Sequence, residues 1–260
     1  MHDGAEAVPS TATSAAVATS PPPRDIDRLY AYAAWMLGDR NDALRALKRS
    51  MADPIPPGTR FKDRLATLRT VVLSHMHGRP RSSQLERLTQ VDQVLRKGTS
   101  ISMPMHHPSL KGDARNMPVL LTGFMQSCLI AGVQTLPPAV REVFVLLVVL
   151  GMEEEEVRVL IDAAQTTLSA YKTRMIQGIE AYLEPHCSHI DRNNACSCDR
   201  RLLLAVERGF VALPRHEQPS PDYPYGVFMN WRRLFASVPP LRLSDEAVES
   251  LADGHGQAIG

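Results

Sequence analysis

Apolar residues recur every three or four positions along most of this chain, and nowhere does a period of two run long enough to build a strand. That spacing belongs to helices with one buried face, so the expected fold class is all-α. Ile26, Leu29, Tyr30, Ala33, Met36 and Leu37 form a first stripe, closed by Gly38-Asp39. Asp39 or Asn41 can cap a second helix that turns Ala43, Leu44, Leu47 and Met51 inward. After a Pro-rich break at 53–58, Thr59 can cap a third helix with Phe61, Leu65, Leu68 and Val72 on its buried side. Together these predict a bundle-like domain over residues 24–77.

A second helical domain is expected over residues 117–184. Leu136-Pro137-Pro138 opens a helix, since Pro suits a first turn, and its stripe of Val140, Val143, Phe144, Leu147 and Leu150 stops at Gly151. A short helix at 153–161 points Val157 and Leu160 inward. After a tight turn, a longer one aligns Leu168, Tyr171, Met175, Ile179 and Tyr182. Helix, short helix, turn and helix is the order of a helix-turn-helix unit. Residues 78–116 carry only a weak apolar pattern among Gly, Pro and Ser and read as a flexible linker. No internal repeat is present.

Composition narrows the setting. Residues 1–23 are mostly Ala, Ser, Thr and Pro, with no basic start, apolar stretch or cleavage site, and are expected to be a disordered arm rather than a signal peptide. The longest apolar run, 143–150, is too short for a bilayer, so a cytoplasmic protein without a membrane partner is expected. In that compartment the four cysteines read as thiols or metal ligands rather than disulfides. The net charge of +1 excludes a global basic field, so any nucleic-acid contact must come from a local patch.

Leu136-Pro-Pro-Ala-Val-Arg141-Glu142-Val-Phe144, continuing through Gly151 to Leu183, resembles the C-terminal domain of extracytoplasmic-function RNA polymerase sigma factors. The stretch from Tyr30 to Met51, with Leu37-Gly38-Asp39-Arg40 at its centre, is similar to the first domain of the same family, and the helix from Phe61 to its promoter-melting helix. The resemblance implies a protein that binds RNA polymerase core and recognises promoter DNA. It places Gln165, Thr166, Thr167, Ser169, Ala170, Lys172 and Arg174 at the leading edge of a recognition helix, where small and polar residues let the backbone approach the major groove. Gln can read an adenine edge, Thr and Ser can hold phosphates, and Lys and Arg release counterions. On the melting helix the expected DNA-facing residues are Arg60, Lys62, Arg64 and Arg69. They belong to a stretch, 60–97, with nine basic and three acidic residues. A solvated helix face would account for the same excess.

The chain also departs from the family pattern. Arg45, Lys48 and Arg49 stand where the family presents acidic residues and Gln to the polymerase, a reversal that opposes the usual docking. Asp162 occupies the tight turn where Gly is usual, although Asp tolerates the left-handed region. Arg158 replaces a small packing residue, and Phe61 is the lone aromatic of the melting helix. The alternative reading is therefore a sigma-like regulatory or partner-binding protein that no longer docks on polymerase in the usual way.

Residues 185–260 form a cysteine-bearing extension. His186, Cys187, His189, Cys196 and Cys198 fall within thirteen residues, enough donors for a tetrahedral soft-metal site. Cys187, His189, Cys196 and Cys198 are the expected ligands. Some metal-responsive sigma factors carry a similar tail, which implies zinc, copper or cadmium; here Ala195 replaces a Pro of that motif. A small knot of buried thiols would give the same sequence. Met103, Met105, His106 and His107 are a second set of soft donors, and Cys128, on an apolar helix, reads as a core residue. Helices are expected at 200–209, at 227–236 around Trp231, and at 244–251 with Ser244 as cap. Such a tail can fold back as an inhibitor, bind a regulatory protein, or simply pack. No Gly-rich phosphate loop or nucleophile elbow appears, and the acidic run 153–156 suits a helix start, so no enzyme is expected.

Overall fold

A computed structural model describes residues 24–52, 58–76, 86 and 102–253. The arm at 1–23 and most of the linker lie outside the described residues. Within them helices dominate and no strand forms; two isolated bridges pair Cys187 with Cys196 and Glu217 with Leu243. The all-α expectation holds.

Helix α1 (Asp25–Leu37) ends at Gly38, whose φ of 72° lets its amide bond back to the Ala34 carbonyl. Of the two candidate caps for α2 (Arg40–Ser50), Asp39 is the one used: its carboxylate accepts the Asn41 and Asp42 amides, both at 2.9 Å. α3 (Phe61–Met76) buries Leu65, Leu68 and Val72 against them. A 3-10 turn (Pro108–Leu110) then leads into α4 (Asn116–Gln134), α5 (Pro138–Phe144) with a π turn (Val145–Val149), α6 (Glu154–Leu160) and α7 (Gln165–Leu183). The extension adds α8 (Cys198–Glu207), α9 (Trp231–Ser237) and α10 (Asp245–Asp253).

α4 is the central helix. It is long and apolar enough to cross a membrane by length and composition, yet 72% of that window is buried inside the protein, against α1, α7 and α8. Two glycines set how closely its neighbours approach. A Cβ on Gly132 would meet the Tyr182 ring at 2.5 Å, and one on Gly178 would meet Leu136 Cδ2 at 2.4 Å. α7 therefore lies tight against both α4 and the start of α5.

The expected pair of domains on a flexible linker meets a different arrangement, because α1–α3 and α4–α7 share one apolar core. The cause is α1 itself, in which every residue from 29 to 36 is buried. A helix covered on all sides must be central rather than peripheral. Polar ties span the same seam. Glu142 accepts the Tyr32 hydroxyl at 2.8 Å and Arg69 Nε at 2.7 Å. Arg141 donates to the Met36 carbonyl (2.9 Å) and to Gln134 Oε1 (2.6 Å), a cation at the C-terminal end of α1, where the helix dipole favours one. Burial pushes its pKa down to about 10, which still leaves it charged at neutral pH.

The extension clamps this seam. Glu217 accepts from Tyr30 (2.5 Å) and Arg40 (2.6 Å), and Gln126 of α4 donates to the Pro239 carbonyl (2.9 Å). From α9, Phe235 lies 5.7 Å from Trp35 and 4.9 Å from Phe144, ring centre to ring centre, so one aromatic group joins α1, α5 and the tail. Arg24 at the start of α1 reaches the Leu243 carbonyl (2.7 Å) and Asp245 (2.8 Å).

Candidate nucleic-acid interface

The turn between α6 and α7 has local causes. Gly151 takes φ 62° and ends the preceding turn, and Glu153 and Glu156 close a capping box at the start of α6. Asp162, standing where Gly was expected, adopts φ 52°, the left-handed conformation an Asp side chain tolerates. Val157 and Leu168 then bury the inner faces of the two helices.

This geometry leaves the leading edge of α7 in solvent. Gln165, Thr166, Ser169, Ala170 and Arg174 are exposed, and Thr167 and Lys172 are half-buried. Val159, on α6, is 66% exposed. Lys172 is paired with Glu154 of α6, and Arg158 with Glu155; each contact holds the carboxylate involved on the surface of the short helix. The Arg158 hydrogen bonds keep the Glu155 carboxyl below its ordinary range. Thr173 and Arg174 extend the exposed polar face by another turn.

The basic residues of α3 fare differently. Arg60, just before α3, pairs with Asp63 of that helix, at 3.2 Å. Lys62 Nζ lies 2.6 Å from Glu156 Oε1, and this contact lowers the Glu156 pKa. Arg64 is half-buried, and its Nε has no partner among the described residues. Arg69 departs from the expectation of a phosphate contact: its guanidinium is turned inward onto Glu142, at 2.7 and 3.2 Å. Arg45, Lys48 and Arg49 are exposed on α2. No family model, curated protein or solved structure matches the chain.

The extension brings its cysteines to one place. Cys187 and Cys196 face each other across the isolated bridge, and Cys198 begins α8. His189, expected as their companion, is buried with both ring nitrogens engaged: Nδ1 lies 2.7 Å from the Gly226 carbonyl and Nε2 2.9 Å from the Tyr223 hydroxyl. Burial lowers its pKa. Cys128, read from sequence as a core residue, lines the same cavity as the other three thiols. In the other set of soft donors, Met103 is buried while Met105 is 61% exposed. One feature had no sequence signal of its own. Glu142 as a tie across the seam is invisible because its partners Tyr32 and Arg69 lie 110 and 73 positions away. The buried run 29–36 did carry a signal, being apolar at every position.

Proposed function

We infer that this chain is a sigma-factor-like transcription protein, which engages RNA polymerase core and reads promoter DNA with the leading edge of α7. One observation carries the reading: the edge where the resemblance puts base contacts is polar, small-residued and uncovered, while the opposite face of the same helix is core. A helix presented in this way fits a major groove. The described state is closed. Arg69 and Lys62 of the melting helix are held by Glu142 and Glu156, which occupy these cations as phosphates would, so initiation requires the helices on the two sides of the seam to part.

The test is gel filtration of the purified full chain with polymerase core at low salt, followed by duplex-binding titrations at several salt concentrations. A co-eluting complex and an affinity that falls steeply with salt are expected. Absence of a complex at low salt overturns docking and leaves the second reading, a sigma-like regulator that binds something other than polymerase. The exposed Arg45, Lys48 and Arg49 favour that second reading, because their charge opposes the usual contact.

A further inference from the structure

A cavity of about 110 Å³, separate from the one the thiols line and partly open to solvent, lies where α1, the π turn and the extension meet. Its walls are largely apolar, built from Ala31 and Trp35 of α1, Val149 of the π turn, and Phe235 and Pro240 of the extension. Three polar side chains also reach it, and two of them are already engaged. Asp27 accepts from Arg24 Nε at 3.0 Å and from the Leu243 amide at 2.9 Å. Gln126 accepts from Arg40 at 3.1 Å and donates to the Pro239 carbonyl at 2.9 Å. Arg28 is the third. Its guanidinium lies 3.9 Å from the centre of the Phe61 ring, a contact that holds the cation through the face of an aromatic group. Its acceptors are distant, the Leu150 carbonyl at 3.4 Å and the Asp25 carboxylate at 3.8 Å. A guanidinium has five N–H donors, so Arg28 keeps most of its bonding capacity for something else. The π turn shapes the same wall. Its Leu150 amide bonds the Val145 carbonyl at 2.9 Å, and Val148 and Val149 are left half-buried beside the cavity. Such turns are uncommon and recur at functional sites.

We propose that this cavity binds a small aromatic carboxylate, its ring against Trp35 and Phe235 and its charged group on the Arg28 guanidinium. An apolar recess with one underused polar group at its wall is the common form of a small-molecule site, and it lies here between parts of the fold, where such sites concentrate. The planar carboxylate matches the guanidinium fork. Size agrees as well. An apolar cavity of about 150 Å³ holds benzene. One of about 110 Å³ that is partly open takes a single ring with its charged end toward solvent. Asp27 brings a negative charge to the same wall, but that charge is met by Arg24. A ligand seated here touches α1, the π turn and the extension at once. It therefore favours the closed arrangement by mass action and keeps the extension in place. The binding stands apart from the polymerase reading and holds whether or not the chain docks.

Benzoate is the probe. The full chain is titrated with it in a calorimeter, beside benzamide, which keeps the ring and lacks the charge, and acetate, which keeps the charge and lacks the ring. Saturable binding of one benzoate per chain is expected, with a Tm that rises with its concentration. Benzamide should bind about tenfold more weakly or worse, as the loss of a charge-assisted hydrogen bond implies, and acetate should not bind. Arg28→Gln, at a half-buried position, should fold and bring benzoate down to the benzamide level. Val149→Phe fills the recess from its wall and should abolish binding of both ring compounds; where it does not fold, Arg28→Gln decides alone. The thiol-lined cavity, with Arg201 in its wall, is the competing place for a carboxylate, and Arg28→Gln leaves it intact. Undiminished benzoate binding by Arg28→Gln, or by a folded Val149→Phe, therefore overturns the proposal. So does benzoate that fails to bind the wild-type chain, or benzamide that binds as tightly as benzoate.

Discussion

Arg69 of α3 and Arg174 of α7 look alike in sequence and end in opposite surroundings. On α3, Arg69 is drawn into the seam by Glu142 and Lys62 is paired with Glu156 on α6. On α7, Arg174 stands in solvent beside an uncovered row of small polar residues. A cation alone therefore does not define a nucleic-acid surface; the carboxylates that the fold brings to it decide whether it is structural or available. Glu142 is the clearest case. It is itself nearly fully buried and receives a hydroxyl and a guanidinium from helices on the other side of the seam.

The contrast breaks first at Glu142. Glu142→Ala leaves the Arg69 guanidinium without its partner and should cost about 3–5 kcal/mol in denaturant unfolding, the range for removing one member of a buried pair. A loss below about 1 kcal/mol would mean that Arg69 swings out to solvent, returning α3 to the phosphate-facing class. The same seam should fail in alkali. Burial, with Glu217 and Glu142 adding to it, holds the Tyr30 and Tyr32 pKa values well above the ordinary one. A proton bound more tightly in the folded state contributes stability that is complete below the unfolded value, about 10, and is lost as pH rises past it. Tm should therefore begin to fall above about pH 10, and the phenolate absorption of these two rings should appear only with unfolding.

Weaker effects sharpen the comparison. Lys62→Ala should cost less than about 1 kcal/mol, because its pair with Glu156 is largely solvated. Arg174→Ala should change stability by no more than about 0.5 kcal/mol. It should nevertheless weaken duplex binding evenly across sequences and reduce the salt slope by about 1. Thermal melts beside fluorescence titrations of labelled duplex check both; an Arg174→Ala chain that binds duplex as wild type does would remove α7 from the interface.

Much of the fold was legible residue by residue. The 3.6-residue stripes locate the helices of both groups, Asp39 is one of two caps the sequence offers, and an Asp at position 162 suits the left-handed turn found there. The helices around Trp231 and after Ser244 were also readable, and Ser244 receives the Ala247 amide at 3.2 Å. The joining of the two groups was not, because periodicity reports that a helix has an inner face and says nothing about which neighbour covers it. α1 was the exception, since a run apolar at every position from Tyr30 to Met36 leaves no solvent face, a sign easily passed over beside a regular stripe. In the candidate sites the split is similar. The exposed edge of α7 followed from the order of helices, whereas the inward turn of Arg69 depended on a carboxylate 73 positions away. Cys128 looked like ordinary core because α4 is apolar all round, and its nearness to the other thiols is purely tertiary. His189 kept company with cysteines in sequence while Gly226 and Tyr223, far downstream, took up both its nitrogens.

The contact between Arg24 and Asp245 has a consequence for the chain as a whole. The first and last helices meet at one corner, so the described protein is nearly a ring. A circular permutant closed by a linker across that corner, with fresh ends cut at the exposed turn around Gly112 (φ 73°), would keep every contact of the seam. Trimming from the C-terminal side would instead strip the start of α1 of the Leu243 carbonyl that Arg24 holds, so damage at one terminus is felt at the other.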